Sequence, residues 1–393
     1  MKVLYWQYYF TPPGGWGNRR SYDLARYWKA YGLEVWILAG GTYFPPTLKA
    51  RLQSRRCFRT PEGIPVLYLP TPYHQRRSWW GRLWDWMRFA VWSAALLWRW
   101  RHHHLALIVT VPPPLLVWLA WLRKKLSGAP YAVELYDAWP AIPEAMKAVP
   151  LLLRRPLRWI SYTAYQEANL CVVLSPAIQQ ALNLHHAHLS YNGTRTSLFR
   201  RRSPPPFLPF RVVYAGTFGR VNHLTFLLEV AQRLQAYPAI EFWLLGDGAE
   251  KPLLIEKARH LSCVRFLDPV PVEEVPYYLS CCHIGVSTVL PLPILESNSA
   301  NKFYDYLANG LVVGLNYGGW QAELVERAAC GFSAPTIEGF VEGILRYYWD
   351  RKAWKEAADR ARRLAEALFD RRRLAQELVP LLEKAFSSPA RLS

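Results

Sequence analysis

One short segment in the second half of the chain indicates how the chain folds; it reads Arg211-Val212-Val213-Tyr214-Ala215-Gly216-Thr217-Phe218-Gly219-Arg220. Its apolar residues predict a buried strand at 211–215, and its glycines predict a tight turn before a helix at 224–234. Short apolar strands and helices alternate in the same way on both sides of this segment. This alternation predicts parallel sheets covered by helices on both faces, which is an α/β architecture.

The alternation divides the chain into two halves. Further strands are predicted at 2–9, 34–39, 66–69, 105–111, 132–135, 170–174, 241–245, 265–267, 284–288 and 312–315, with helices at 21–31, 81–100, 156–168, 251–261, 302–308 and 321–329. A basic, proline-rich stretch at 200–206 predicts a linker. We therefore expect two Rossmann-like, doubly wound domains, 1–200 and 207–370, facing a central cleft, with a C-terminal helix and tail, 371–393, packed across them.

The composition indicates an anionic ligand. The 393 residues carry a net charge of +19, which favours nucleic acid, acidic lipid headgroups or phosphorylated substrates without choosing among them. The six cysteines form no Cys-x-x-Cys pair, so a reducing compartment with inert thiols fits best. The N-terminus lacks the continuous apolar core of a signal peptide.

One uncharged stretch, 105–122, has the length of a membrane-spanning helix. Three consecutive prolines, Pro112-Pro113-Pro114, interrupt it, and proline breaks the hydrogen-bond ladder inside a helix. We therefore predict a strand, a proline turn and a helix that begins with proline, rather than a span.

A glycine turn follows the first predicted strand. Gly14 and Gly15 lie in this turn, and Arg20 stands at the start of the next helix. Backbone N–H groups at such a turn, together with a nearby cation, would bind a diphosphate. The alternative is a glycine turn required only for its shape.

The second half repeats this arrangement. Gly216 and Gly219 follow strand 211–215, and Gly246-Asp247-Gly248 follows strand 241–245. Neither is a full Gly-x-Gly-x-x-Gly motif, which makes each a weak signal alone. Two glycine turns after successive strands nevertheless predict a shelf for a nucleotide.

A polar segment precedes the short helix predicted at 302–308. Asn301 would cap this helix, and Lys302 and Asp305, three residues apart, would share one of its faces. Lys302 would then meet a diphosphate while Asp305 accepts hydrogen bonds from ribose hydroxyls. The alternative is a structural ion pair between these two side chains.

Several motifs, in their order along the chain, resemble those of glycosyltransferase family 4, which has the GT-B fold, and especially its subgroup that makes bacterial surface polysaccharides. In the first half they are Tyr9-Phe10-x-Pro12-Pro13-Gly14-Gly15, Arg20-Ser21-Tyr22-Asp23-Leu24-Ala25 and Tyr136-Asp137-Ala138-Trp139-Pro140. In the second half they are Tyr214-Ala215-Gly216, Gly246-Asp247-Gly248, Asn301-Lys302-Phe303-Tyr304-Asp305-Tyr306-Leu307-Ala308 and Gly319-Trp320. The resemblance covers nearly the whole chain, and the shared order of the motifs makes it specific.

The resemblance implies transfer of a sugar from a nucleotide diphosphate donor with retained anomeric configuration. It assigns the acceptor to the N-terminal domain and the donor to the C-terminal domain. Asp305 matches the second acid of the family's paired-glutamate motif and would contact the ribose, and Glu296 is the candidate for the first acid, which contacts the donor sugar. Eight residues separate these two acids where the family has seven, and Ser297 stands in the expected position.

Two further site residues follow from the resemblance. Arg220 would supply the charge that the family places after the first glycine of the donor domain, since Thr217 and Asn222 stand near those positions. Asp137 stands where the family has a residue near the reacting sugar, and its carboxylate would orient or deprotonate the acceptor hydroxyl. A helix-capping role for Asp137 is the alternative.

No metal site or cofactor is predicted. No Asp-x-Asp pair follows a strand to bind a metal–diphosphate complex. Histidines 102–104 and His185, His186 and His188 lack an accompanying ligand set. The expected co-substrate is a nucleotide-sugar, linked to UDP rather than to GDP.

The middle of the first half is basic and rich in tryptophan. It runs from Arg76-Arg77-Ser78-Trp79-Trp80 to Trp98-Arg99-Trp100-Arg101. Tryptophan suits a membrane interface and arginine attracts anionic lipid, so we expect peripheral docking on the cytoplasmic face of the cell membrane. Docking would bring a polyprenyl-diphosphate-linked acceptor to the enzyme. The alternative is a buried helix with a basic solvent face.

These observations predict a metal-independent, retaining glycosyltransferase that acts on a glycan acceptor, lipid-linked in our reading, in cell-surface polysaccharide biosynthesis. A sugar-nucleotide epimerase of the same architecture is one alternative, and it would convert the donor without an acceptor. A basic nucleic-acid-binding protein is another. It leaves the glycine turns and the 301–305 segment without a purpose, so we expect no nucleic acid partner.

Overall fold

The structure, a computed structural model, describes residues 1–15, 17–40, 44, 46–52, 55–70, 79–100, 105–145, 147, 149–201 and 203–387. The strands are β1 (Lys2–Tyr9), β2 (Glu34–Gly40), β3 (Cys57–Arg59), β4 (Pro65–Leu69), β5 (Ala106–Val111), β6 (Tyr131–Leu135), β7 (Leu170–Val173), β8 (His188–Leu189), β9 (Phe210–Ala215), β10 (Ile240–Leu245), β11 (Val264–Leu267), β12 (Ile284–Ser287), β13 (Val312–Leu315) and β14 (Gly331–Ser333). The α-helices are α1 (Arg20–Ala30), α2 (Pro46–Leu52), α3 (Trp79–Arg99), α4 (Pro114–Ser127), α5 (Ala141–Ala145), α6 (Leu151–Gln166), α7 (Pro176–Ala181), α8 (Leu224–Arg233), α9 (Lys251–Lys257), α10 (Val275–Ser280), α11 (Asn301–Ala308), α12 (Trp320–Arg327), α13 (Ile337–Trp349), α14 (Arg351–Leu368) and α15 (Arg371–Ser387). Two 3₁₀ helices, Arg220–Asn222 and Pro293–Ser297, lie in the second half.

The chain divides into two compact units. The first unit contains Met1–Tyr191 and Arg371–Ser393, and the second contains Asn192–Asp370. Residues 192–200, which the sequence placed with the first domain, are held within the second unit. The Thr194 N–H donates to the Phe369 carbonyl at 2.8 Å, at the far end of that unit.

The sheet of the first unit has the strand order β3-β4-β2-β1-β5-β6-β7-β8. All the pairs are parallel except β3 with β4. The chain therefore begins in the middle of the sheet, builds out to one edge through β2, and returns to build the other edge from β5. The carboxyl ends of β1 and β5 are a topological switch point, where open α/β sheets bind ligands.

The sheet of the second unit has the order β11-β10-β9-β12-β13-β14, and every pair in it is parallel. Its switch point lies between β9 and β12. Buried side chains from the sheet, such as Phe210 and Val212, pack with Leu227 of α8, Ile344 of α13 and Trp354 of α14 in one core. The predicted α/β class and Rossmann-like sheets are thus confirmed for both units.

Helix α15 belongs to the first unit. Arg371, at its start, forms a fully buried ion pair with Asp23 of α1, with 2.6 Å between Nη1 and Oδ2. Trp28 of α1 donates from Nε1 to the Ala375 carbonyl at 2.9 Å. Ala375 and Leu378 join the same core as Trp28. The C-terminal helix therefore completes the layer of helices on the first sheet.

The proline-interrupted stretch folds as the sequence predicts. Strand β5 ends at Val111, and α4 begins at Pro114, the third proline of the run. Among the described residues, no helix is long and apolar enough to cross a bilayer. The prediction for α6 was too short, since this helix starts at Leu151 and continues through Pro156.

Candidate active site

The two glycine turns of the second unit lie side by side at the carboxyl edge of its sheet. The Phe218 N–H donates to the Asp247 carbonyl at 2.8 Å. A Cβ atom at Gly246 would lie 1.9 Å from the Gly216 carbonyl oxygen, so a side chain has no room where the turns meet. Gly216 and Asp247 are exposed. Residues 216–219 and 246–248 thus form a continuous ledge of backbone, which we call the glycine shelf.

Lys302 lies directly behind the glycine shelf. Its Nζ atom donates to Asn222 Oδ1 at 3.3 Å and lies 4.8 Å from the centre of the Tyr214 ring. A Cβ atom at Gly216 would lie 3.1 Å from Lys302 Cε. The absence of a side chain at Gly216 therefore leaves room for the lysine to extend along the shelf.

The surroundings of Lys302 destabilise the protonated form of its side chain. Burial lowers the pKa of the ammonium group from 10.5 to about 8, because a desolvated site favours the neutral form. Within the described part of the chain, Lys302 forms no ion pair that would offset this effect. The intrahelical pair with Asp305 is not formed, since Asp305 accepts a hydrogen bond from the Thr194 hydroxyl at 2.5 Å. A partly desolvated ammonium group gains most when it binds an anion.

Asn301 and Asp305, the other predicted site residues of α11, bond to the first residues of the second unit. Asn192 Nδ2 donates to the Ser299 carbonyl at 2.8 Å and to Asn301 Oδ1 at 3.0 Å. The prediction that Asn301 caps α11 is wrong: Ala300 precedes the helix and Asn301 is its first residue. Asp305 is almost fully buried, with Oδ1 bonded to Thr194. Both predicted nucleotide contacts therefore have partners inside the unit.

The structure separates the roles of Glu296 and Ser297. The 3₁₀ helix Pro293–Ser297 turns the Ser297 hydroxyl back onto the Ile294 carbonyl, at 2.6 Å. Glu296 instead lies against the glycines that follow β13: a Cβ atom at Gly318 would be 3.6 Å from Glu296 Oε1. In the described residues the Glu296 carboxylate forms neither a hydrogen bond nor an ion pair. Glu296, although one residue out of the expected spacing, thus lies partly exposed beside the glycines that follow β13.

Arg220 and Asn222 are the two ends of one short 3₁₀ helix next to the shelf. Arg220 is exposed, one residue after Gly219. Asn222 holds Lys302 through its side-chain oxygen, and its Nδ2 donates to the Thr217 carbonyl at 2.9 Å. This 3₁₀ helix therefore places the Arg220 and Lys302 side chains next to the glycine shelf.

In the first unit, the residues predicted to bind a diphosphate, namely Gly14, Gly15 and Arg20, do not lie together at the surface. Gly14 is exposed with φ +74°, in a turn where the Gly15 N–H donates to the Pro12 carbonyl at 3.0 Å. Arg20 is fully buried, and its Nε donates to Glu134 Oε1 at 2.7 Å. A buried guanidinium needs such a partner. Arg20 therefore neutralises Glu134 in the interior, and the structure does not bring it to the surface beside Gly14.

Asp137 follows β6, at the carboxyl edge of the first sheet. It is exposed, yet neighbouring protein atoms displace enough water to raise the pKa of its carboxyl from 3.8 to about 6. Its backbone carbonyl accepts from the Trp139 N–H at 2.8 Å. Its carboxylate forms no hydrogen bond with any residue that the structure describes, so the predicted capping alternative is not realised there. The carboxylate is available to a ligand.

The described residues contain no cluster of His, Cys, Asp or Glu that could hold a metal ion. His185, His186 and His188 fall within them, and His188 lies on β8. Part of the predicted basic, tryptophan-rich stretch and one histidine cluster lie outside the described residues, namely residues 71–78 and 101–104.

Sequence reasoning missed residues that organise this site. Asn192 and Thr194 fix α11 from more than 100 positions away in sequence, and Tyr214 and Asn222 hold the Lys302 ammonium group. Tyr214 and Asn222 flank the Gly216–Gly219 turn, so their position was a usable signal. For Asn192 and Thr194 the only local signal is the Asn-Gly turn at 192–193.

Two family models match the chain, one in each half. Residues 17–187 match the "Glycosyl transferase 4-like domain", and residues 209–350 match "Glycosyl transferases group 1". No curated protein sequence matches the chain.

Solved structures share the fold over nearly the whole chain. Sucrose-phosphate synthase from Thermosynechococcus elongatus has a TM-score of 0.76 at 15% identity, with 98% of this chain and 100% of that chain covered. HepE from Anabaena, in complex with UDP-glucose, has a TM-score of 0.69 at 16% identity, with 98% and 99% covered. TarM from S. aureus has a TM-score of 0.65 at 8% identity, with 97% and 99% covered. These likenesses show the GT-B fold, and the two family matches, which together span most of the chain, show that the chain belongs to the group 1, family 4-like glycosyltransferases.

Proposed function

We propose that this glycosyltransferase moves a sugar from a UDP-sugar, with retention of configuration, to a glycan acceptor carried on a polyprenyl diphosphate. The observation that carries the proposal is the position of Lys302: a half-buried ammonium group behind a backbone ledge, next to Gly216. Its low pKa reflects desolvation without a protein carboxylate to offset it. A diphosphate would supply the missing negative charge.

The glycine shelf and its two cations would hold the diphosphate of the donor. The Gly216 and Phe218 N–H groups already donate to protein carbonyls, so the backbone N–H groups of Thr217 and Gly219 would approach the phosphate oxygens, beside Gly216, which has no side chain. Lys302 and Arg220 would stabilise the charge that develops on the diphosphate as the glycosidic bond breaks. Since Lys302 takes this role in our proposal, transfer should continue in the presence of a metal chelator.

Glu296 would orient the donor sugar. Its carboxylate lies beside Gly318 and Gly319, after β13, and lacks a bonding partner among the described residues. A carboxylate accepts hydrogen bonds from sugar hydroxyls, so Glu296 would fix the sugar relative to the diphosphate held by Lys302. The UDP-glucose complex of HepE and the UDP complex of TarM support UDP as the nucleotide.

Asp137 would orient the acceptor in the first unit. Its raised pKa makes it a better proton acceptor than an ordinary aspartate at neutral pH, where it remains ionised. In a displacement that retains configuration, the departing phosphate oxygen can take the acceptor proton, and Asp137 would then position the hydroxyl. Gly14 is exposed and Gly15 buried in one turn of the same unit, and this turn would serve the acceptor's phosphate.

A lipid-linked acceptor would place the enzyme on the inner face of the cell membrane, in the synthesis of a surface polysaccharide. The net charge of +19 supports an anionic surface as partner. The acceptor itself is proposed on this charge and on the resemblance of the sequence to surface-polysaccharide enzymes.

The test is a panel of UDP- and GDP-sugars, each supplied with and without polyprenyl-diphosphate-linked acceptors. We expect acceptor-dependent release of UDP, with NMR of the product showing the same anomeric configuration as the donor. Lys302→Ala should lose most of this activity, and Lys355→Ala, an exposed lysine of the same unit, should keep it. Isomerised nucleotide-sugar formed without acceptor would show an epimerase instead, and inverted product would refute retention.

A further inference from the structure

Helix α3 exposes an apolar stripe. Trp84, Met87, Val91 and Trp98 are all solvent-exposed. Their spacing of three, seven and fourteen residues from Trp84 puts them on one face of this 21-residue helix. The opposite face, with Trp86, is buried. A folded surface helix normally turns its apolar stripe inward, so a second stripe that faces outward indicates a binding surface.

The exposed apolar residues of the first unit are not scattered. Apart from Met1 and Tyr31, every large apolar side chain that is exposed in the described part of this unit lies on α3, α4 or α6. On α4 these residues are Leu122 and Leu126. On α6 they are Leu151, Leu152, Leu153 and Trp159.

These three helices are consecutive neighbours. Helix α4 packs against α3 on one side and against α6 on the other. The Trp118 Nε1 atom of α4 donates to Ser161 Oγ of α6 at 3.2 Å. The rings of Trp121 and Trp159 also meet edge to face, with centroids 6.5 Å apart. The exposed apolar residues therefore belong to one connected surface, which we call the α3–α4–α6 face.

The charged residues of the α3–α4–α6 face are almost all basic. Each of the three helices carries three Arg or Lys residues, and Asp85, which is buried, is their one acid. Glu144 pairs with Arg158, and Glu167 pairs with Lys125. Arg88, Arg99 and Arg155 are exposed. Apolar side chains surrounded by cations complement a surface that is apolar beneath a negatively charged layer.

We propose that the α3–α4–α6 face docks on an anionic lipid bilayer, with its tryptophan and leucine side chains among the headgroups and its arginines on the lipid phosphates. Tryptophan suits this depth because its ring is apolar while its N–H needs a polar partner. This inference rests on the proposed function in one respect: a lipid-linked acceptor explains why the enzyme would bind a membrane.

The test is co-flotation of the full chain with vesicles of phosphatidylcholine, alone or mixed with phosphatidylglycerol. The double variant Val91→Glu/Leu152→Glu puts acids at positions that are 71% and 91% exposed, on two different helices. Leu253→Glu, at an apolar position of the second unit that is 43% exposed, is the matched control. We expect the wild type and the control to float with the anionic vesicles. The fraction of the double variant that is bound to these vesicles should be at least tenfold lower than that of the wild type.

Equal binding to neutral vesicles, or equal binding by the double variant, would overturn the proposal. Light scattering would identify a different occupant: a wild-type dimer that the double variant abolishes, without flotation of either, would make the face an interface between two copies. UDP affinity, measured on the same proteins, should be unchanged by the double variant. A wild type that floats but does not bind UDP would refute the donor site and leave the docking face intact.

Discussion

The affinity of this enzyme for UDP is expected to fall as the pH rises through about 8. Burial lowers the pKa of the Lys302 ammonium group to about 8, and no carboxylate contributes to that shift. Above this pH the neutral amine no longer attracts the diphosphate. Because roughly a tenth of such groups remain protonated one unit above their pKa, the dissociation constant should rise about tenfold between pH 7 and pH 9.

Bound diphosphate must in turn raise the pKa of Lys302, because a nearby anion favours the charged form. At pH 8.5 about a quarter of the free enzyme already carries the proton, so binding there should take up about three quarters of a proton. Calorimetry in two buffers of different ionisation enthalpy measures this uptake together with the affinity. The alkaline limb should accordingly appear near pH 8 in kcat/KM, which reports the free enzyme, and at higher pH in kcat.

Lys302→Arg is the matched control for this prediction. Arginine keeps its charge throughout the range, so the variant should bind UDP with an affinity that changes little from pH 7 to pH 9. Any titration of the nucleotide itself is shared by both proteins and cancels in the comparison. The reasoning is refuted if the wild-type affinity is constant over this range, or if both proteins show the same pH dependence.

Three further outcomes are expected. Glu296→Gln should lower kcat, measured as UDP release, by at least about tenfold, because a charged hydrogen bond to the substrate is lost. Ser297→Ala should leave kcat unchanged, and equal losses in the two variants would show that Glu296 does not contact the donor. Wild-type kcat/KM should fall as the pH drops below about 6, where Asp137 becomes protonated, whereas Asp137→Asn should be slow and lack this limb; an unchanged acid limb in the variant would exclude Asp137. Arg371→Ala should lose about 3–5 kcal/mol of unfolding free energy in urea, since it removes one partner of the buried ion pair with Asp23. Arg373→Ala, which removes an exposed ion pair, should lose under about 1 kcal/mol, and similar losses would show that the buried pair is not special.

The sheets were predictable because their signal is local. Runs such as Val212–Tyr214 are apolar without alternation, which indicates strands buried on both faces, and a glycine follows each strand that ends at the shelf. The position of Lys302 at the start of α11 was predictable for the same reason, since a polar segment precedes the helix. Short elements at the edges, such as β3 and β14, have too few residues to show a period.

Contacts between distant parts of the chain could not be predicted. Arg20 follows a glycine turn, as a phosphate-binding arginine would, but its burial depends on Glu134, 114 positions later. Asp305 and Asn301 bond to Thr194 and Asn192, which the linker prediction assigned to the other domain. In each case the sequence showed a polar side chain in a motif. Its hydrogen-bond partner depends on tertiary packing, which the local sequence does not contain.

The docking surface was predictable only in part. The tryptophan and arginine content of α3 indicated a membrane interface from composition. The contribution of α6 was missed because Leu151-Leu152-Leu153 reads as an ordinary buried segment in sequence, and only the structure shows these side chains to be exposed.

The most direct test of the donor site compares the affinities of UDP and uridine for the wild type and for Lys302→Ala. If Lys302 contacts the diphosphate, the variant should lose about 1.5–3 kcal/mol in UDP binding, the range of a hydrogen bond to a charged group, and nothing in uridine binding. Calorimetry at pH 7 measures both. Equal losses for UDP and uridine, or no loss for either, would contradict the assignment of Lys302 to the diphosphate.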